Sequence, residues 1–275
     1  MWVVTLFFFY IKHFTHKNYM KKILTAALLL ISTIASAQVN VQLHYDLGRA
    51  INPEGEPNRP NVTTTVEMFR ADKLGSTYFF TDFDYFSDGV GGAYWEVSRE
   101  FTFAKAKNNS SFAAHVEYDG GLSINKYAGE SGSRFQQAAL VGPAWNWHSS
   151  DFSKTFSLQA MYKQYFRKRS DNLDPLASFQ VTTVWGVTFA DGLCTCSGFA
   201  DLWHGYIPRF NAEGKQKKGL VFISEPQFWF NVMGKNRQND KLSIGTEIEL
   251  SDNFIWAGNS KTFFVNPTLA VKYTF

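Results

Sequence analysis

The chain ends in Phe263-Phe264-Val265-Asn266-Pro267-Thr268-Leu269-Ala270-Val271-Lys272-Tyr273-Thr274-Phe275, in which two kinds of side chain alternate. Odd positions hold Phe, Val, Pro, Leu, Val, Tyr and Phe, whereas even positions from Asn266 onward hold Asn, Thr, Ala, Lys and Thr. This period of two is typical of a β-strand with one apolar and one polar face. Because the apolar face is long enough to cross about 25 Å of hydrocarbon and the strand ends on an aromatic residue, it predicts the closing strand of an outer-membrane β-barrel.

The N-terminal region has the pattern of an export signal. Lys21-Lys22 follows Met20, an apolar stretch runs over residues 23–34, and Ala35-Ser36-Ala37 precedes Gln38. A charged region, an apolar region and a site of small residues predict a signal peptide over residues 1–37 that is cleaved after Ala37. Residues 1–19 are interpreted as a misplaced upstream start, with an unusually long charged region as the alternative. Export of this kind places the barrel in the outer membrane of a Gram-negative bacterium.

Composition agrees with an all-β membrane protein of one domain over residues 38–275. Aromatic residues make up 17% of the chain and Phe alone numbers 27, yet the mean hydropathy is −0.22. The apolar residues are therefore interleaved with polar ones, and no stretch after Ala37 is long enough for a membrane helix. Residues 1–37 hold four lysines and no acid, so 23 basic and 24 acidic residues remain. Such a balance gives no reason to expect a nucleic acid polymer as a partner.

Alternation and turn residues predict an up-and-down antiparallel barrel of about twelve strands. Connections alternate in length, which predicts short periplasmic turns and longer extracellular loops. The long connections are residues 48–61, 122–133, 168–176 and 209–218, and the short ones include Asp72-Lys73-Leu74 and Ser149-Ser150-Asp151. The predicted strands are residues 39–47, 62–71, 75–86, 92–103, 111–121, 134–147, 154–167, 177–190, 198–208, 219–232, 240–251 and 263–275.

Alternation also assigns the faces of each strand. A charge that faces lipid near the bilayer midplane costs about 2–4 kcal/mol for a basic residue and less for an acid, so the charged face of each strand is expected in the lumen. Acids outnumber bases on that face, and aromatic rings accompany them. Such a lumen suits small neutral or cationic solutes that stack and donate hydrogen bonds. The candidate pore-lining and substrate-binding residues are Glu67, Tyr78, Phe80, Asp82, Asp84, Tyr94, Glu96, Glu117, Lys163, Tyr165, Glu225 and Trp229.

Several segments are similar to a known family. The stretch Asn61-Val62-Thr63-Thr64-Thr65-Val66-Glu67-Met68-Phe69, then Asp72-Lys73 and Tyr78-Phe79-Phe80-Thr81-Asp82-Phe83-Asp84-Tyr85-Phe86, resembles the early strands of the Tsx-like nucleoside-specific channels. Tyr94-Trp95-Glu96-Val97 and Asp201-Leu202-Trp203-His204-Gly205 are further similarities. The resemblance implies a twelve-stranded, monomeric outer-membrane channel that passes nucleosides.

Motifs that could carry other chemistry have simpler interpretations. Cys194-Thr195-Cys196 is predicted in a periplasmic turn and lacks the four ligands of a structural zinc site. His148-Ser149-Ser150-Asp151 contains the residue types of a serine hydrolase, but residues so close in a tight turn cannot easily act as base and nucleophile. Two acids on one strand, Asp82 and Asp84, could also serve an active site. We expect no catalytic residue, metal or cofactor.

The predicted function is therefore an outer-membrane channel through which small polar solutes diffuse, with nucleosides as candidate solutes. Its expected partners are outer-membrane lipid, the small-molecule solutes and the barrel-assembly machinery, which would recognise Phe275. An outer-membrane barrel enzyme of lipase or protease type is one alternative. A structural barrel with a plugged lumen is the other, because inward charge pairs can fill a lumen as readily as line it.

Overall fold

The computed structural model describes residues 38–125, 131–232 and 242–275, so the predicted signal peptide over residues 1–37 lies outside the described residues. Fourteen strand segments, one short α-helix and one 3-10 helix, Arg169–Asp171, occupy these ranges. They are β1 Gln38–Asp46, α1 Gly48–Ile51, β2 Val62–Asp72, β3 Gly75–Phe86, β4 Gly89–Lys105, β5 Ser110–Asn125, β6 Ser131–Arg134, β7 Ala138–His148, β8 Lys154–Tyr165, β9 Leu176–Phe189, β10 Cys194–Phe210, β11 Gln216–Ser224, β12 Gln227–Asn231, β13 Leu242–Asp252 and β14 Phe263–Thr274.

The segments form twelve antiparallel barrel strands, because β6 and β7 both pair with β5 and because β11 and β12 together lie between β10 and β13. Neighbours in sequence are neighbours in the sheet, and β1 pairs with β14 to close it. Gln42 lies opposite Lys272 in this closing pair. Closure leaves no sheet edge whose backbone groups would face hydrocarbon unpaired. The predicted twelve-stranded antiparallel barrel is confirmed.

The two faces of the barrel wall have opposite character. On β14, Leu269, Val271 and Tyr273 are 62%, 46% and 43% exposed, whereas Asn266 and Thr268, which precede them, and Ala270 between them are buried. Most polar side chains of the other strands likewise point inward and large apolar ones outward, although some apolar and aromatic side chains also face the interior. An outer apolar surface around a polar interior is the arrangement of a transmembrane β-barrel. Within the described ranges, no helix is long and apolar enough to cross a membrane.

Proline interrupts regular pairing between β11 and β12 and in β14. The predicted tenth strand, residues 219–232, is divided by Glu225-Pro226 into β11 and β12, because proline has no N–H for the ladder. Gly198 on β10 lies beside this break with a φ of +158°, and the N–H of Glu225 still donates to the carbonyl of Phe199. Near Pro267 in β14, the hydroxyl of Thr268 accepts the N–H of Glu247 at 3.1 Å and replaces a ladder bond.

Two predicted connections are wrong in detail. The loop predicted over residues 209–218 covers only residues 211–215, because β10 extends to Phe210 and β11 begins at Gln216. Cys194 and Cys196, predicted in a turn, lie in strand β10. The turn before them is tight: Ala190, Asp191 and Gly192 all have left-handed φ values, so the chain reverses within residues 190–193. The loop tip predicted around Gly129 lies outside the described residues.

Candidate functional site: the lumen

Strand pairing places the twelve predicted lumen residues on the inner face of the barrel wall. Cross-strand partners share a face, and the pairs Glu67 with Phe80 and Tyr94 with Asp82 show this directly. Glu225 lies at the break between β11 and β12, where it interacts electrostatically with Glu247 of the neighbouring strand β13. Their role in binding a solute stays a prediction. The remaining members of the set are Tyr78, Asp84, Glu96, Glu117, Lys163, Tyr165 and Trp229.

An aromatic ladder runs along the inner face of β3 and β4 to Phe135, in the segment between β6 and β7. The ring centroids of Tyr78 and Phe80 are 6.0 Å apart, those of Phe80 and Tyr94 are 5.9 Å apart, and those of Tyr94 and Phe135 are 6.1 Å apart. All three pairs are tilted, which is a favourable geometry for aromatic contacts. Gly121 faces Phe135, and a Cβ at this position would clash with the ring. The ladder therefore depends on a glycine in the neighbouring strand.

Carboxylates border the ladder and are held by hydroxyl groups of the same wall. Tyr78 donates to Glu67 at 3.1 Å and Tyr94 donates to Glu96 at 2.7 Å. Thr65 donates to Asp82 at 2.5 Å. Each of these bonds uses one carboxylate oxygen, and the second oxygen of Glu67 accepts from the side-chain amide of Asn40 at 2.9 Å. The second oxygens of Asp82 and Glu96 can accept a donor from a solute. Rings and acceptors thus occupy one continuous strip of the lumen.

The opposite side of the lumen is packed more tightly. Trp229 is fully buried, and its indole N–H donates to Gln227 at 2.9 Å. His44 meets its ring edge-on with centroids 6.1 Å apart, and the ammonium of Lys272 lies 4.1 Å from the ring centroid. Gly245 provides the space for this indole, since a Cβ there would contact Cε3 of Trp229 at 2.6 Å. Here the inward side chains fill the lumen.

Lys163 belongs to a second packed group. Its ammonium donates to Gln180 at 2.7 Å, lies 2.9 Å from Asp119, and is 5.2 Å from the ring centroids of both Tyr165 and Trp203. The side chain is only 8% exposed. The predicted lumen cation is therefore fixed by partners on all sides and is not a free charge in a water-filled channel.

The first long connection, residues 47–61, is named loop 1, and it folds onto the inner wall. Arg59 donates to Asp46 at 2.8 Å, to Glu56 at 3.1 Å and to Glu249 at 2.8 Å. Burial opposes the charge on Arg59, yet Glu249 and Asp46 hold its pKa above the usual range. Burial also raises the pKa of Glu56, although Arg59 acts in the opposite direction. Asn266 of β14 donates to Glu56 at 3.0 Å and completes the attachment.

Sequence reasoning missed this group, since it predicted only that loop 1 is long. The sequence contains one local signal, the pair Glu56 and Arg59 three positions apart in a loop. Their other partners, Asp46 and Glu249, come from two different strands. Only the closed barrel brings these strands together.

The turn between β7 and β8 does not assemble a hydrolase site. The hydroxyl of Ser149 donates to Asp151 at 2.5 Å, and Nδ1 of His148 contacts the Ser149 carbonyl at 2.9 Å instead of the hydroxyl. The His148 ring stacks on Phe152 with centroids 3.9 Å apart. The hydrogen bond from Ser149, with further ones from Ser153, holds the pKa of Asp151 well below its usual range. These contacts belong to a turn stabilised by its own side chains.

The fold and the polar interior define a closed, twelve-stranded antiparallel β-barrel of the transmembrane type. The chain belongs to the family described as "Domain of unknown function (DUF5020)", whose sequence profile matches residues 37–275. Comparison with curated protein sequences found no match.

Solved structures with a similar fold are outer-membrane barrels. The NanC porin aligns with a TM-score of 0.53 at 9% identity, covering 86% of this chain and 100% of its own. OprD from Pseudomonas aeruginosa gives a TM-score of 0.38 at 9% identity, covering 87% of this chain and 65% of its own. OccK2 (OpdF) from the same organism, solved with glucuronate, gives 0.39 at 9% identity, covering 80% and 60%. At 9% identity, the similarity to the NanC porin concerns the fold alone.

Proposed function

We propose that this barrel is an outer-membrane channel for small neutral or cationic solutes that carry a flat ring and several hydrogen-bond donors, with nucleosides as the candidate class. The observation that carries the proposal is the aromatic ladder of Tyr78, Phe80, Tyr94 and Phe135 with carboxylates along its border. A flat ring gains contact energy on the rings, while hydroxyl or amino groups donate to the free carboxylate oxygens. The resemblance to the Tsx-like channels supports the same class of solute.

Charge and exposure along the lumen support the proposal. On the ladder wall, Phe80, Asp82 and Tyr94 are partly exposed, whereas Gln42 on β1 and Trp229 on β12 are almost completely buried. These ladder side chains are therefore more accessible than the buried side chains of β1 and β12. Glu67, Asp82 and Asp84 of this wall accept hydrogen bonds from hydroxyl groups and, in Glu67, also from the Asn40 amide, and these negative side chains favour cations over anions.

Solute flux through the purified barrel tests the proposal. In liposome swelling, adenosine should enter faster than a neutral sugar of similar size. Phe80→Leu removes the central ring of the ladder without removing a hydrogen bond. An aromatic contact contributes about 0.5–1.5 kcal/mol, so loss of about 1 kcal/mol should lower nucleoside flux roughly fivefold and change sugar flux little.

A matched control lies on the outer face of the wall. Phe156 contacts Trp145 with ring centroids 6.0 Å apart, and Phe156→Leu is the same change away from the lumen. It should leave both fluxes unchanged. The double change Asp82→Asn with Asp84→Asn should lower cation preference in bilayer recordings and reduce nucleoside flux more than sugar flux. Equal flux of adenosine and sugar in the unmodified barrel, unaffected by these changes, would contradict the proposal.

A structural barrel with a plugged lumen is the second candidate function, and a specific observation favours it. Loop 1 attaches to the inner wall through Arg59, and Trp229 and Asn266 are fully buried in the lumen. If these groups close the passage, planar-bilayer recordings should show no conductance for ions or small solutes. Conductance in the unmodified barrel therefore separates the two candidates.

A further inference from the structure

Three carboxylates from adjacent strands converge on one point of the lumen wall. Glu96 of β4 lies opposite Asp119 of β5, and Glu117 is two positions before Asp119 on the same face. One oxygen from each of the three lies within 4.8 Å of the others. Two ligands on opposite sides of a calcium ion, at 2.3–2.6 Å each, would be separated by about this distance.

Each of the three carboxylates is oriented by a partner that uses only one of its oxygens. Tyr94 donates to Oε1 of Glu96 at 2.7 Å, Nε2 of His115 lies 3.1 Å from Oε2 of Glu117, and Lys163 lies 2.9 Å from Oδ2 of Asp119. Partners of this kind orient ligands in metal sites by fixing the side chain from behind. The three side chains are therefore held in place before any ligand arrives.

An unsatisfied oxygen provides the independent evidence for a ligand. Asp119 is 4% exposed, and its Oδ1 is buried and accepts no hydrogen bond from the described part of the chain. Oδ1 of Asp201 on β10 is also buried and has no hydrogen-bond partner among the described residues. Asp201 is near enough to act electrostatically on Glu96 and Asp119. Buried carboxylate oxygens without a partner are costly, and such groups call for an explanation by an ion or water.

Charge also favours a cation at this point. Glu96, Glu117, Asp119 and Asp201 contribute four carboxylates, whereas the basic groups in contact with them are Lys163 and His115, so acids remain in excess even when both bases are charged. The excess suits a divalent cation with oxygen ligands. Calcium accepts irregular sets of carboxylates completed by water, whereas magnesium requires near-octahedral geometry, so side chains fixed on a curved sheet suit calcium better.

We propose that Glu96, Glu117 and Asp119, with Asp201 as a supporting acid, bind one calcium ion in the lumen. Binding does not depend on which solute crosses the barrel, because it is measured on the purified protein in detergent. Calcium held here would cancel part of the negative charge on the ladder wall and lower the cation preference of the channel. The site thereby links calcium outside the cell to the charge of the lumen.

Terbium luminescence tests the site. Terbium(III) substitutes for calcium and emits when a nearby aromatic ring transfers energy to it, and Tyr94 is bonded directly to the ligand Glu96. The unmodified barrel should show saturable terbium emission that calcium displaces, and calcium should raise its thermal unfolding midpoint relative to a chelator. Asp119→Asn and Glu117→Gln should each weaken terbium affinity at least tenfold.

Asp84→Asn serves as the matched control, because Asp84 is also a lumen acid but lies outside the cluster and bonds Thr63 at 2.8 Å. It should leave terbium affinity unchanged. Circular dichroism identifies any variant that fails to fold, and the calcium effect on the unmodified barrel does not depend on the variants. Absence of saturable emission in the unmodified barrel would overturn the proposal, as would equal weakening by Asp84→Asn and Asp119→Asn. If the barrel passes solutes but does not bind calcium, the calcium site is refuted while the proposed channel function stands.

Discussion

Replacing Arg59 by alanine should detach loop 1 from the barrel wall. Arg59 is 17% exposed and holds three carboxylates at 2.8–3.1 Å, two from the wall and one from the loop itself. The side chains of Glu56, Asp46 and Glu249 are only 1%, 8% and 10% exposed. Without the guanidinium, these acids repel one another in a position that water barely reaches. The attached conformation of the loop should therefore lose its main source of stability.

The expected magnitude follows from the burial of this group. Removing one partner of a buried ion pair costs about 3–5 kcal/mol, mostly because the remaining charge stays buried without compensation. Because Arg59 keeps some contact with solvent, the lower end, about 3 kcal/mol, is the appropriate value. Since about 1.4 kcal/mol is a factor of ten, the detached population should rise roughly a hundredfold.

Hydrogen exchange and single-channel conductance are two independent measurements of the detachment of loop 1. The amide of Asn52 donates to Gly48, and the amide of Gly258 donates to Gly55 of the loop. Both amides should exchange faster in the Arg59→Ala variant while amides in the middle of β14 keep their protection. If loop 1 narrows the lumen, single-channel conductance should rise in the same variant.

The control is another arginine pair in a connection of the barrel. Arg167 lies 3.0 Å from Asp174, but the two side chains are 58% and 72% exposed. Exposed pairs contribute about 0–1 kcal/mol, so Arg167→Ala should change neither exchange nor conductance measurably. If Arg59→Ala and Arg167→Ala behave alike, loop 1 is not held by the buried cluster and the reasoning fails.

Two further predictions concern assembly and topology. The N–H of Phe275 donates to the carbonyl of Val39 at 2.9 Å, and the residue is 71% exposed. Deleting Phe275 should sharply lower the amount of protein in the outer membrane, measured by immunoblotting of membrane fractions. Normal amounts would argue against recognition of the terminal aromatic residue. Loop 1 is predicted outside the cell and the β2–β3 turn in the periplasm. A membrane-impermeant maleimide should therefore label a Glu54→Cys variant, but not a Lys73→Cys variant, on intact cells. The reverse labelling pattern would show that the topology is inverted.

The strands of the barrel wall were predictable because each strand carries its own alternating pattern of apolar and polar residues. Alternation along β14 determines which side chains face lipid, and each strand repeats this rule independently. The strand from Gly75 to Phe86 has the predicted bounds, and its charged face points inward as the cost of lipid-facing charge requires. Turn geometry was less predictable: three successive left-handed residues before Cys194 shorten a turn in a way that composition does not reveal.

The contents of the lumen were predictable only as a list of side chains. Periodicity assigns Glu117 and Lys163 to the inner face, but their partners depend on which strands close around the same point. His115 two positions earlier takes one oxygen of Glu117, and Lys163 reaches Asp119 past the intervening strand β7. Loop 1 adds Arg59 from a segment with no periodicity at all. Contacts across a closed barrel combine residues that no local pattern connects.

The distribution of partners within the lumen separates structural from functional acids. Glu249 and Asp46 are neutralised by Arg59, so their charges are compensated within the folded protein. Asp82 accepts from the hydroxyl of Thr65, and Glu67 accepts from the hydroxyl of Tyr78 and the amide of Asn40, so the donors to these two acids are neutral groups. The uncompensated acids lie beside the aromatic ladder, on the wall where side chains stay partly exposed. Aromatic rings and acids with neutral partners therefore coincide on β2–β4, the wall along which the proposed solutes are expected to pass.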